Sequence, residues 1–148
     1  MKKLDDLDLK IIEILQKDCR ASLVSIARQL GKSVSAISYR LNRLMRMGII
    51  KKCIAIVDAE ALGLTYDVII MIRVVPGKLA DLTKFLKEKD EVQLAFTITG
   101  AYDLCIYALF RNEDEYFEFI EQLHGTSYVL ETTTFTIVKK IKDDLKYL

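Results

Sequence analysis

Ser22-Leu23-Val24-Ser25-Ile26-Ala27-Arg28-Gln29-Leu30, then Gly31-Lys32-Ser33, then Val34-Ser35-Ala36-Ile37-Ser38-Tyr39-Arg40-Leu41-Asn42-Arg43-Leu44-Met45-Arg46-Met47: this stretch decides the fold of the front of the chain. Leu23, Ile26, Ala27 and Leu30 recur at helical spacing behind Ser22, a residue suited to cap a helix N-terminus. Gly31 tolerates the positive φ that ends a helix. Ser33 caps the next one, which runs to about Met47 and stops at Gly48. Two helices joined by so short a Gly-containing turn form a helix-turn-helix. At 100° per residue, Val34, Ile37, Leu41 and Leu44 fall on one side of the second helix. Ser35, Tyr39, Asn42 and Arg46 fall on the other, flanked by Ala36, Arg43 and, more laterally, Arg40.

That outer face mixes hydrogen-bonding groups, small residues and cations, and no acid lies between Asp18 and Asp58. A DNA major groove accepts such a helix. Arg pairs with guanine, Asn with adenine, and small residues allow close approach. The expected contacts to double-stranded DNA are Lys32, Ser33, Ser35, Ala36, Ser38, Tyr39, Arg40, Asn42, Arg43 and Arg46. An ordinary solvated face would mix charges of both signs.

Working outward, Asp5, Asp6 and Asp8 precede Leu9, Ile12 and Leu15, which predicts a first helix over about 5–18 with acids at its positive end. Ile49-Ile50-Lys51-Lys52-Cys53-Ile54-Ala55-Ile56-Val57 is β-branched and reads as a strand, a wing or a hinge. Residues 1–57 hold 12 Lys+Arg against 5 Asp+Glu, while the rest hold 10 against 16. The overall charge of +1 hides a basic front and an acidic back, as expected when one end meets nucleic acid. The expected division is a DNA-binding domain over 1–50, a strand linker over 51–64 and a second domain over 65–148.

In the back, strands are expected at about 66–75, 91–99, 103–110 and 128–141, and helices at about 78–89 and 112–124. The order is β-α-β-β-α-β, a ferredoxin-like motif, giving an α+β chain with a winged helix-turn-helix in front. Right-handed crossovers place both helices on one sheet face. Val68, Ile70, Ile72 and Val74 alternate with Ile69, Met71, Arg73 and Val75; Leu104, Ile106, Ala108 and Phe110 alternate with Cys105, Tyr107 and Leu109. Both faces are apolar, yet the helices cover one. A second copy is the common way to bury the other, so a homodimer is expected.

No run of 18 apolar residues and no apolar leader is present, so a cytoplasmic protein with no membrane contact is expected. Cys19, Cys53 and Cys105 lack zinc or redox spacing and are expected to be buried thiols. With one histidine, His124, and no Gly-rich phosphate loop, neither catalysis nor a cofactor or metal is expected.

Taken in order, these pieces resemble the Lrp/AsnC (feast/famine, leucine-responsive) transcription regulators over essentially the whole chain. Leu4-Asp5-Asp6-Leu7-Asp8-Leu9-Lys10-Ile11-Ile12 is similar to the family's L-D-x-x-D-x-x-I-L, and Leu15-Gln16-Lys17-Asp18-Cys19-Arg20 to its L-Q-x-D-x-R. Ser33 to Leu44 is similar to S-x-S-T-V-x-x-R-I-x-R-L, Gly48-Ile49-Ile50 to G-V-I, and Thr99-Gly100-Ala101-Tyr102-Asp103-Leu104 to T-G-x-Y-D-L. The resemblance implies a ligand-sensing back domain, dimers that assemble further, commonly into octamers, and an amino-acid effector held between dimers. Carried over by position, it nominates Gly100, Tyr102, Asp103, Thr132 and Thr134. A carboxylate suits an α-ammonium, and hydroxyls and turn amides suit a carboxylate. Ala36, Tyr39 and Asn42 depart from the family's usual Thr and cations, which alters the operator read. Ala101 replaces a common acid, and His124-Gly125-Thr126-Ser127-Tyr128-Val129 replaces the usual Pro-Gly-Val. The rival reading is an architectural DNA-binding protein without a ligand.

Overall fold

The structure, a computed structural model, describes residues 4–142. The chain divides into two compact units, one ending at Ile56 and one spanning Val57–Lys142.

The front unit is three helices: α1 (Asp6–Lys17), α2 (Leu23–Leu30) and α3 (Val34–Arg46). Each start is fixed by a side chain. Asp5 and Asp8 form a reciprocal capping box on α1, with bonds of 3.0 and 3.1 Å. Ser22 accepts from the Ser25 amide and Ser33 from the Ala36 amide. Gly31, at φ 61°, ends α2 in the left-handed region, and the Lys32 amide closes onto the Ala27 carbonyl at 3.0 Å. Ile11, Ile26, Ala27, Ile37 and Leu44 make a small buried core. At about 1.5–3 kcal/mol for each large side chain, so few residues leave little surplus over chain entropy. Polar ties between the helices therefore matter.

Residues 49–57 form no paired strand, and Ile54, Ile56 and Val57 are exposed. The expected strand over this run is thus corrected to an unpaired segment. β-Branched residues favour a pleated, half-buried surface, and here no neighbouring strand supplies one. The cysteine expectation is corrected as well. Cys19 and Cys53 are exposed, Cys105 is half-buried, and the Cys19 thiol lies 3.9 Å from the Ile54 carbonyl.

The back unit opens with a 3-10 turn at Glu60–Leu62 and continues as β1 (Tyr66–Val74), α4 (Leu79–Lys87), β2 (Val92–Thr97), β3 (Leu104–Phe110), α5 (Glu113–Gly125) and β4 (Val129–Thr136). The antiparallel sheet has the order β2-β3-β1-β4, the ferredoxin-like arrangement. β4 ends at Thr136, opposite Val68 of β1, short of the expected 141; past it the Ile137 amide makes one more bond, to the Asp67 carbonyl at 2.9 Å. Asn112 caps α5 through the Glu115 amide. Val68, Ile70, Ile72, Leu104, Ile106, Ala108 and Phe110 pack under Leu82, Leu86, Phe119 and Leu123 of the helices.

The opposite sheet face carries Ile69 and Met71 of β1 beside Cys105 and Tyr107 of β3, with Leu94 and Phe96 on one flank and Phe135 on the other. Leu94, Phe96 and Phe135 are 47%, 52% and 56% exposed. At its rim Lys140 bonds Asp67 at 2.6 Å and lies over the Tyr107 ring, so the lysine's pKa is raised, first by the Asp67 bond.

Candidate nucleic-acid and effector sites

The α3 face divides in two. Ser35, Tyr39, Asn42 and Arg46 are exposed, Tyr39 to 62%, and Lys32 and Ser33 are exposed just before the helix. The Ser33 and Ser35 hydroxyls lie 3.1 Å apart. Ala36 and Ser38 are half-buried. Arg40 and Arg43 do not join the open face. Arg43 Nη2 donates to Oδ2 of Asp8, and Arg40 Nη1 donates to Oδ1 of Asp8 at 3.0 Å and to Asp5. The Asp8 side chain is 0% exposed. A lateral arginine is long enough to choose between solvent and a neighbouring helix, and these two turn inward to α1.

Asp5, the N-cap, and Asp8, in the first turn of α1, are three residues apart and face Arg40 and Arg43, three apart in α3. Sequence reasoning assigned those acids to the helix dipole and missed this role. The signal was there as matched i, i+3 spacing of opposite charges, but it pairs residues more than 30 apart in the chain. Hydrogen bonding by Arg40, then by the Asp8 amide, holds the Asp5 pKa down at about 2, and the Arg40 pKa is raised in return.

The second candidate site surrounds the turn between β2 and β3. Gly100 sits at φ 128°, where a side chain would be strained. The Ala101 carbonyl accepts from Arg73 Nε at 3.3 Å. Asp103 is built into the sheet: its amide donates to Ile72, its carbonyl accepts from Ile98, and its Oδ2 accepts from the Val74 amide at 2.7 Å. One of its carboxylate oxygens is thus committed to backbone. Tyr102 shares a 2.7 Å hydrogen bond with Thr133. Thr132 and Thr134 point to the opposite face, where Thr132 meets His124 Nε2 at 3.1 Å and Thr134 accepts from Tyr116 at 2.8 Å. The turn and Thr133 are therefore together in one chain, while Thr132 and Thr134 are joined to α5. Thr133, Tyr116 and His124 were not nominated as site residues from the sequence, because their partners depend on the register of β4 on β1 and on the packing of α5 against β4. Among the described residues, no cluster of His, Cys, Asp and Glu could hold a metal, and no helix is long and apolar enough to cross a membrane.

A family described as winged helix-turn-helix DNA-binding matches residues 4–51, and one described as the Lrp/AsnC ligand binding domain matches residues 67–147. The HTH-type transcriptional regulator FL11 of Pyrococcus furiosus is 36% identical over 140 residues, covering 95% of this chain and 93% of that protein. FL11 of Pyrococcus abyssi is 34% identical with the same coverage. Among solved structures, the transcriptional regulator NMB0573/L-Met complex of Neisseria meningitidis superposes with a TM-score of 0.92 at 24% identity, over 99% of this chain and 97% of that one. LrpC of B. subtilis gives 0.86 at 27% identity, over 95% and 98%.

Proposed function

Because this chain belongs to the Lrp/AsnC family of transcription regulators, we propose that residues 1–50 read a specific operator and residues 65–148 sense a small metabolite, with 51–64 as the linker. DNA binding and oligomeric assembly are typical of that family. The observation that carries the DNA reading is the acid-free, exposed face of α3 with Ser35, Tyr39, Asn42 and Arg46. Asn42 and Arg46 supply the groups that read adenine and guanine edges, and Lys32 meets phosphate. An architectural protein needs cations more than it needs Asn42 and Tyr39.

The uncovered sheet face of Ile69, Met71, Tyr107, Leu94, Phe96 and Phe135 is the dimer surface in this reading, and dimers assemble further, an octamer being the form proposed. The effector is an amino acid, held at the turn of Gly100, Tyr102 and Asp103 and completed by a neighbouring copy. In the Neisseria protein the bound amino acid is L-methionine. Two measurements test the reading. Selection from a random duplex pool, with affinities then compared at fixed salt, should give an operator bound about 10³-fold or more tighter than random DNA. Equal affinities would leave the architectural alternative. Calorimetric titration with each common amino acid should find at least one that binds and that shifts assembly or operator affinity; no heat from any of them would remove the effector.

A further inference from the structure

The recognition helix carries Arg40, Arg43 and Arg46, yet among the described residues Arg46 alone of the three has no ion pair. We propose that Asp5 and Asp8 set the selectivity of DNA binding by withholding Arg40 and Arg43 from phosphate. This rests on the reading of α3 as the helix that enters the groove.

The geometry fixes both arginines. Arg43 reaches a carboxylate that is fully buried, and its own Nε is buried without a hydrogen-bond partner. To meet a phosphate it would have to leave Asp8 behind, and an uncompensated buried charge is costly. Arg40 bridges Asp8 and Asp5 with one nitrogen, so it is held from two sides. Asp5 is exposed and Asp8 is not. The buried acid thus locks Arg43 and anchors Arg40, and the exposed acid supplies the outer hold on Arg40 and cancels its charge at the surface.

The consequence follows from how phosphate binding works. Each cation that neutralises a phosphate adds affinity for every sequence alike, and steepens the fall of affinity with salt by about 0.9 in log–log slope. Two free arginines on α3 would raise binding to random DNA as much as to the operator. Held by α1, they leave discrimination to Ser35, Tyr39, Asn42 and Arg46. Asp5 and Asp8 are positioning residues in this scheme and need not touch DNA.

The test uses the full-length chain and three variants. Asp5→Asn keeps an equally good helix cap, so α1 is retained, and circular dichroism checks this. Asp6→Asn makes the same change of charge one residue away with no arginine to release. Asp5→Asn with Arg40→Gln removes the released cation. Binding to a random-sequence duplex and to a pool-selected operator is measured by fluorescence anisotropy between 50 and 200 mM salt. Asp5→Asn should bind random DNA more tightly than Asp6→Asn does. Its salt slope should steepen by up to about 0.9 per protomer, a change of about three- to fourfold in relative affinity across that range. The operator-to-random ratio should narrow, and the excess should vanish in the double variant. Identical slopes for Asp5→Asn and Asp6→Asn, or an excess that survives Arg40→Gln, would overturn the proposal while leaving the groove reading intact. Failure of the unaltered protein to bind any duplex would overturn both.

Discussion

Replacing Asp8 by Ala should cost the front unit about 3 kcal/mol, the lower end of what removing one partner of a buried ion pair costs. The Asp8 carboxylate takes hydrogen bonds from Arg40, Arg43 and the Asp5 amide, the last at 3.1 Å. Without it, Arg43 faces the α1–α3 contact with its Nε already unpaired, and the capping box is broken. The arginine side chain is 31% exposed, so it can turn partly to water, which is why the lower end applies. A unit of roughly 50 residues is stable by about 3–8 kcal/mol, so the loss is a large share of the total. Hydrogen exchange resolves it by location. Amides of α1, α2 and α3 should exchange about 100-fold faster or more, while those of β1 and β3 keep their protection. Asp8→Ala combined with Arg43→Met should recover much of the loss, because the uncompensated charge goes with the arginine. Protection in Asp8→Ala equal to that of Asp6→Ala would refute the reasoning.

Three further outcomes follow from the same structure. The Asp5 carboxyl has a lower pKa folded, about 2, than its ordinary 3.8. Its contribution is therefore full above about pH 4 and lost as the pH falls toward 2; the gap in melting temperature between the unaltered protein and Asp5→Asn should close over that window, and a constant gap would contradict it. Gly31→Ala should cost about 1–2 kcal/mol in denaturant melts, purely from the left-handed backbone, since a Cβ there meets nothing within 4 Å. Met71→Asp, at the middle of the uncovered sheet face, should turn the oligomer into smaller species by light scattering while leaving the monomer's sheet intact, because the charge is buried only in the assembly.

What the sequence made legible was local. Ser22, Gly31 and Ser33 announce helix ends through bonds to residues three or four away, and the structure keeps those ends. Alternation in β1 and β3 revealed both the buried face and the uncovered one, because parity needs no knowledge of partners. What failed depended on distant neighbours. A helical wheel places Arg40 and Arg43 beside the exposed residues of α3, but it cannot see two carboxylates arriving from α1. The 49–57 run has strand composition without a strand to pair with. The turn at Gly100 was legible as a candidate site, whereas which of Thr132, Thr133 and Thr134 shares a face with it required the register of β4 on β1.

The division of α3 into a locked half and a free half bears on how such a regulator could acquire a new target. Ser35, Tyr39, Asn42 and Arg46 lie outside the small buried core of the front unit, so exchanging them costs little in folding and, on the proposed reading, redraws the recognised sequence. Arg40 and Arg43 are not free in this way, since a change at either takes a partner from the buried Asp8 carboxylate. The helix therefore keeps its seat against α1 while its exposed strip changes. Divergence among descendants of this protein should accumulate on the exposed strip first, and exchanges at Arg40 or Arg43 should come only together with exchanges at Asp5 or Asp8.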